Sequence, residues 1–313
     1  LAFGALNMGV TILTALTYFF YCRYVRYWSA LLFKELFSYT GWSLIGNLAW
    51  TFNSQGMNIL INMFFGPVFN ATRGIASSVE SAVSSFLYNF ITPAVPPIIK
   101  AYAAGDIDEM IRLSLRSSKL GFLLFMCLSL PLISVMNPIL KLWLIAPPPQ
   151  SWTFCLLSLI YIQCNSLGGT LQNMVQATGK VKRYQLSNGI VKIMALPIVY
   201  IIYKCGGDVV AYLWTLILTS IVGLMVQLDA VRRLIDSFKI SDYLKKVIMP
   251  ALTAYLLPFL LSFYFSCMEM ESLKMMETVA IMVVICLFSV WFIGFTGHER
   301  SWILNIAKSK LYR

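Results

Sequence analysis

The chain alternates long apolar runs with short polar, mostly basic breaks. Nine runs approach the ~20 residues that an α-helix needs to cross a ~30 Å hydrocarbon core. They lie at about 1–21, 39–65, 72–97, 119–138, 151–176, 185–203, 208–228, 247–266 and 275–295. The pattern predicts an all-α integral membrane protein, a polytopic bundle of about nine transmembrane helices.

Three of these runs carry polar residues at helical spacing. At 100° per residue, Asn47, Thr51, Ser54, Gln55, Asn58 and Asn62 share one arc of about 100°. Asn53 points elsewhere on that projection. In the next run Arg73, Ser77, Glu80, Ser84 and Tyr88 share an arc of about 80°, and Asn165, Gly169, Gln172 and Gln176 span about 60° of the helix 151–176. One stripe of amides and hydroxyls is accounted for by helix-to-helix hydrogen bonds, each worth on the order of 1 kcal/mol. Three stripes, one with a carboxylate, predict a water-filled cavity, because intramembrane charges are costly and line pathways or pair with one another. Glu80 either pairs with Arg73 or faces that cavity. Lys192, inside the run 185–203, either snorkels to the nearby interface or presents a cation to the cavity. Pro93, Pro96, Pro97, Pro131, Pro197, Pro250 and Pro258 interrupt or end helices, a weak sign of a rocking transporter.

Composition makes lipid the relevant solvent. Of the 313 residues 59% are hydrophobic and 12% charged, with a mean hydropathy of +0.75, against about 25% charged in a soluble domain. The net charge of +11 is a topology signal. One set of alternate connections holds 19 Lys and Arg residues and the opposite set 4. By the positive-inside rule the richer side is cytoplasmic, so Leu1 starts outside and Arg313 ends inside. Nucleic acid is therefore not an expected partner. The seven Cys are scattered without a CxxC pair and read as small apolar packers. With His298 as the single His, no metal-ligand spacing appears. QATGKV (176–181) fails as a P-loop, because Val follows the Lys and no strand precedes it. Leu1 opens directly on an apolar run with no basic lead-in of the signal-peptide kind, so the expectation is a chain cut from within a larger membrane protein.

ATRGIASSVESAVSSFLYNFITPAVPPIIKAYAAGDIDEM (71–110), LPLISVMNPILKLWLIAPP (130–148) and QATGKVKRYQLSNGIVKIMALPIVYIIYK (176–204) resemble the second half of an oligosaccharide flippase. These are the MATE-like polysaccharide exporters of the multidrug/oligosaccharidyl-lipid/polysaccharide superfamily, encoded in bacterial capsule and O-antigen loci. The resemblance covers about residues 36–300. It implies two six-helix lobes related by pseudo-two-fold symmetry, often with two extra C-terminal helices. On this chain 1–21 would be the last helix of a truncated first lobe, 22–38 the cytoplasmic inter-lobe linker, 39–229 the second lobe, and 230–313 the C-terminal helix pair with its tail. The basic segment 100–119 would be an interfacial helix. Members tend to carry an amide where this chain has Glu80.

The function so implied is export of a polyprenyl-pyrophosphate-linked oligosaccharide from the inner to the outer leaflet of the bacterial cytoplasmic membrane, for polysaccharide or O-antigen (lipopolysaccharide) biosynthesis. The chain would act as a transporter and not an enzyme, without cofactor or metal, coupled to a proton or sodium gradient. Its partners would be lipid-linked oligosaccharide, membrane lipids, and polysaccharide polymerase or assembly proteins. Lys192 or Arg73 would meet the pyrophosphate, and Glu80 would couple to the ion. A drug or cation antiporter of the same superfamily would want more acidic cavity residues. A membrane-embedded glycan polymerase or ligase would want a large external loop or a buried catalytic cluster, and the external connections here are short.

Overall fold

The computed structural model describes residues 2–21, 29–268, 272–297 and 299–301. Cys22, Arg23, Arg26, His298, Lys308, Lys310 and Arg313, used in the charge and cysteine readings, lie outside the described residues. Among the described residues every regular element is a helix. Seven helical stretches among the described residues are long and apolar enough to cross a membrane, from Pro67–Ala103 to Lys274–Gly294. They overlap the last seven predicted spans, although the one predicted at 119–138 runs from Ile107 to Ser134. The other two predicted spans fold as α1 (Ala2–Tyr21) and as part of α2 (Ala30–Phe65). The chain is an all-α polytopic membrane protein.

Contacts divide it into two units, Leu1–Gly41 and Trp42–Arg313. In the first, α1 satisfies its own polar groups, as a helix in lipid must. The hydroxyls of Thr11, Thr14 and Thr17 donate to the carbonyls of Asn7, Val10 and Leu13 at 2.5–2.9 Å.

In the second unit the breaks between helices are written in Gly and Pro. Gly66, at φ 83, ends α2, and Pro67 opens α3 (Pro67–Ile91) where its missing N–H costs nothing. Around Pro93, Pro96 and Pro97 the chain tightens into a 3-10 turn (Thr92–Ala94) and re-forms as α4 (Val95–Ala103). Asp106 then caps α5 (Ile107–Ser134), accepting from the Glu109 N–H at 3.0 Å. Segment 100–119 is therefore no separate interfacial helix. After the turn at Gly105, residues 107–119 are the first turns of a spanning helix, because nothing from Asp108 to Leu120 breaks it.

Helices α6 (Met136–Leu144) and α7 (Ser151–Ser166) follow. The predicted single helix 151–176 is interrupted at Leu167–Gly168 and resumes as α8 (Gly169–Ala177). Gly168 and Gly169 weaken the helix there, and the Leu167 carbonyl finds other donors. The hydroxyls of Ser118 (2.9 Å) and Tyr243 (2.6 Å) both reach it and lie 2.7 Å from each other; with one proton apiece they make two of these three contacts as hydrogen bonds at a time. Next come α9 (Lys182–Lys204) and α10 (Ala211–Leu234). Helix α11 (Ile240–Tyr243) passes through a π turn (Leu244–Ile248) into α12 (Met249–Cys267). Last, α13 (Ser272–Ser289) ends in a second π turn, Val290–Gly294.

Helix α5 is the hub, packed against α3, α4, α7, α8, α12 and α13. Its fully buried Phe122, Phe125, Met126 and Leu130 lie on that axis. Hydrogen bonds lace the bundle at depth. Gln163 Nε2 donates to the Phe122 carbonyl (2.9 Å), and Ser262 Oγ to the Leu130 carbonyl (2.6 Å) next to Pro131. The part of α2 after Trp42 lies against α9 through small residues; a Cβ added at Gly56 would come within 2.6 Å of Leu196 Cδ2.

Candidate functional site

Two polar cavities lie among α2, α3, α7, α8, α9 and α10. One, of about 210 Å³, is walled by residues that include Ser54, Arg73, Glu80, Ser158 and Thr219. The other, of about 430 Å³, includes Asn47, Ser84, Tyr88, Gln172 and Gln185. Both share Trp50, Asn165, Asn188, Lys192 and Gln227, so they adjoin across one common wall.

The second predicted stripe reaches this space whole. Arg73, Ser77 and Glu80 line the smaller cavity, Ser84 and Tyr88 the larger. The third reaches it in part. Asn165, Gly169 and Gln172 line it, with Gln172 Oε1 accepting from Tyr184 OH at 3.4 Å, while Gln176 stands outside. Gln176 keeps the register of Gly169 and Gln172, since all three lie on α8, but it stands next to last in that helix, a turn beyond the cavity residues.

The first stripe is divided. Asn47 and Ser54 line the cavities, and Asn58 reaches them through Arg73. Thr51, Gln55 and Asn62 are exposed and line neither. Asn53, which the projection turned away, is buried, lines the smaller cavity and donates from Nδ2 to the Lys192 carbonyl. The face of α2 that meets the bundle is the arc of Ala49, Asn53, Met57 and Ile61. That arc wins because it carries the apolar and small side chains that pack against α9.

The charges are held in different ways. Arg73 donates to Asn58 Oδ1 and to the Ser54 carbonyl (3.1 Å), with its guanidinium 5.8 Å from the Tyr212 ring centre. Protein groups on α2 and α10 thus hold it in place. Glu80 lines the same cavity, yet none of the described ion pairs joins it to Arg73. Of the two sequence expectations for Glu80, the one in which it faces the cavity fits. Lys192 likewise lines both cavities. Gln227 is buried, and its Oε1, packed against Gly168, has no hydrogen-bond partner among the described residues.

No family model, curated protein or solved structure matches the chain.

The site therefore speaks through its chemistry. Its walls offer amides and hydroxyls that both donate and accept, two cations, and Glu80 as the one carboxylate among the described lining residues. A divalent metal would find a single charged oxygen ligand there, too few for a dedicated site. Several lining residues were missed by the stripe reading although their spacing was legible. Asn188 stands four residues before Lys192, itself already a candidate, and Thr219, Gly223 and Gln227 recur every four residues along α10.

Proposed function

We propose that this chain is the second lobe of a two-lobe exporter that moves a polyprenyl-pyrophosphate-linked oligosaccharide across a bacterial cytoplasmic membrane by alternating access. One observation supports this above others: a polar cavity at membrane depth, walled by amides and hydroxyls with Lys192 and Arg73 among them. Glycan hydroxyls suit such walls, because many weak, interchangeable hydrogen bonds bind without trapping. Lys192 would meet the pyrophosphate, the polyprenyl chain would stay in lipid, and Glu80 would couple transport to a proton or sodium ion. The exposed polar face of Thr51, Gln55 and Asn62 fits the same reading. Amides turned toward hydrocarbon are costly, whereas a facing lobe would make them the wall of a passage. A carrier of cationic drugs is less well served, since two cations accompany the one carboxylate on these walls.

The test uses the full-length protein in liposomes with a lipid-linked oligosaccharide, scoring glycan exposure to an added glycosidase. Glu80→Gln is expected to abolish gradient-driven transport, and Lys192→Gln to raise the substrate concentration needed by about tenfold, the 1.4 kcal/mol scale of one charge-assisted contact. Transport of cationic dyes without glycan translocation would sink the proposal. Full gradient-driven transport in Glu80→Gln would remove the coupling role alone.

A further inference from the structure

A third cavity, of about 580 Å³, lies away from the two described above, among the start of α5, the α10–α11 connection, the π turn before α12, and the segment after α13. Its walls carry Arg112, Arg116, Lys119, Lys245 and Lys246 against Asp108, Asp242 and Glu299, a net charge of +2. Part of this charge is committed. Lys119 pairs with Glu299 at 2.5 Å, Lys246 with Asp242 at 3.0 Å, and Arg112 with Glu109. Counting Glu109, which meets Arg112 from just outside the walls, five cations face four acids, and the cluster keeps a net charge of +1.

Depth and neighbourhood give that surplus a meaning. Helix α5 has 28 residues, about 42 Å at 1.5 Å per residue, so roughly a quarter of it extends beyond a ~30 Å hydrocarbon core. Cavity residues on α5 run from Asp108 to Lys119, its first three turns. Those turns carry Asp108, Arg112 and Arg116, which belong in the headgroup layer. Immediately deeper, from Ser117 to Cys127, the adjoining face of α5 lines an apolar groove of about 360 Å³. Phe90, Ile91, Leu287 and Phe295 complete it. Only the peptide bond between Phe295, in the groove, and Thr296, in the cavity, separates the two linings along the chain. The middles of the two α5 stretches are about eight residues apart, or ~12 Å along the helix.

We propose that the cavity and the groove together form a binding site for an anionic glycerophospholipid, its phosphate in the basic cavity and an acyl chain along the groove. The charge complements a phosphodiester, the groove is too apolar for a soluble anion, and the order of the two along α5 matches a lipid lying parallel to the helix. Basic pockets between helices at the membrane surface recognise acidic headgroups in this way. The site does not rest on the export reading: its walls share only Ile91 with the other two cavities, and none of their charged residues.

The test takes the purified full chain in neutral detergent and titrates phosphatidylglycerol and phosphatidylcholine, reading retained lipid by native mass spectrometry and protection by thermal unfolding. Phosphatidylglycerol is expected to remain bound and to raise the unfolding temperature, and phosphatidylcholine to do neither. Lys245→Gln, on the π turn, and Arg112→Gln, on α5, are each expected to lower the preference about fivefold, the effect of one cation near an acidic headgroup. Lys239→Gln, which lies outside the cavity, should leave it unchanged. Equal binding of the two lipids, or a preference untouched in both cavity variants, would overturn the proposal. So would displacement of phosphatidylglycerol by millimolar inorganic phosphate, which would mark a site for the free anion.

Discussion

Asn53 and Thr51 sit two residues apart on α2 and do opposite things. Asn53 is buried and ties α2 to α9 through the Lys192 carbonyl. Thr51 is exposed and returns its hydroxyl to the Asn47 carbonyl in its own helix, at 3.1 Å. Thermal unfolding in detergent should separate them. Asn53→Ala is expected to cost about 1 kcal/mol, the size of an interhelical hydrogen bond in a membrane bundle, and Thr51→Ala less than about 0.5 kcal/mol. Which residues are polar was legible in the sequence. Which of them turn inward was not, because the angular pattern of polar groups identifies a face without saying what that face meets.

Helices here pack by what they leave out. A methyl group at Gly56 would lie 2.6 and 2.9 Å from the two δ-carbons of Leu196, whereas at Gly74 on α3 it would meet nothing within 4 Å. Alanine is a better helix former than glycine by about 1 kcal/mol, and overpacking costs roughly 1–3 kcal/mol. Gly74→Ala should therefore be neutral or stabilising and Gly56→Ala destabilising, a difference of sign that thermal unfolding of the two variants would reveal. The breaks between helices were partly legible in the same way. Gly66-Pro67 and the prolines after Thr92 announce theirs locally. The interruption at Leu167–Gly168 depends on Ser118 and Tyr243, distant in sequence, which take over the released carbonyl. A reading of residues 151–176 alone could not contain them.

The segment after α13 is tied back to α5 by the pair Lys119–Glu299, 180 positions apart in the sequence, with the Lys119 side chain only 3% exposed. Burial by itself pushes the Glu299 carboxyl up. Hydrogen bonds from Lys119 and from the N–H and hydroxyl of Thr296, with the Lys119 charge, outweigh it and hold the carboxyl below its ordinary value of 4.5. A carboxyl depressed on folding contributes stability above its unfolded-state value, and that contribution is lost as pH falls through the folded-state value. The unfolding temperature of the wild type should thus exceed that of Glu299→Gln at neutral pH, and the gap should close below about pH 4.5. Because Glu299→Gln leaves a buried ammonium group unpaired, it should cost on the order of 3 kcal/mol, and the double variant Lys119→Met/Glu299→Gln less. A double variant as unstable as the single would argue that the pair is not what holds this segment.

Hydropathy along the chain determined by itself that the protein is an all-α membrane bundle, roughly where its spans lie and which of them carry polar groups. Those properties follow from the one-dimensional match between a run of apolar residues and the thickness of lipid. Tertiary packing alone decided that Asn53 faces inward and Thr51, Gln55 and Asn62 do not. It also decided that Arg73 is held by Asn58 and Ser54 and is not ion-paired with Glu80, and that cations from α5 and from the turn before α12 meet around one cavity. Each of these depends on the rotation of one helix against another, which is set by side-chain volumes on several helices at once and so is not encoded in the period of any single one.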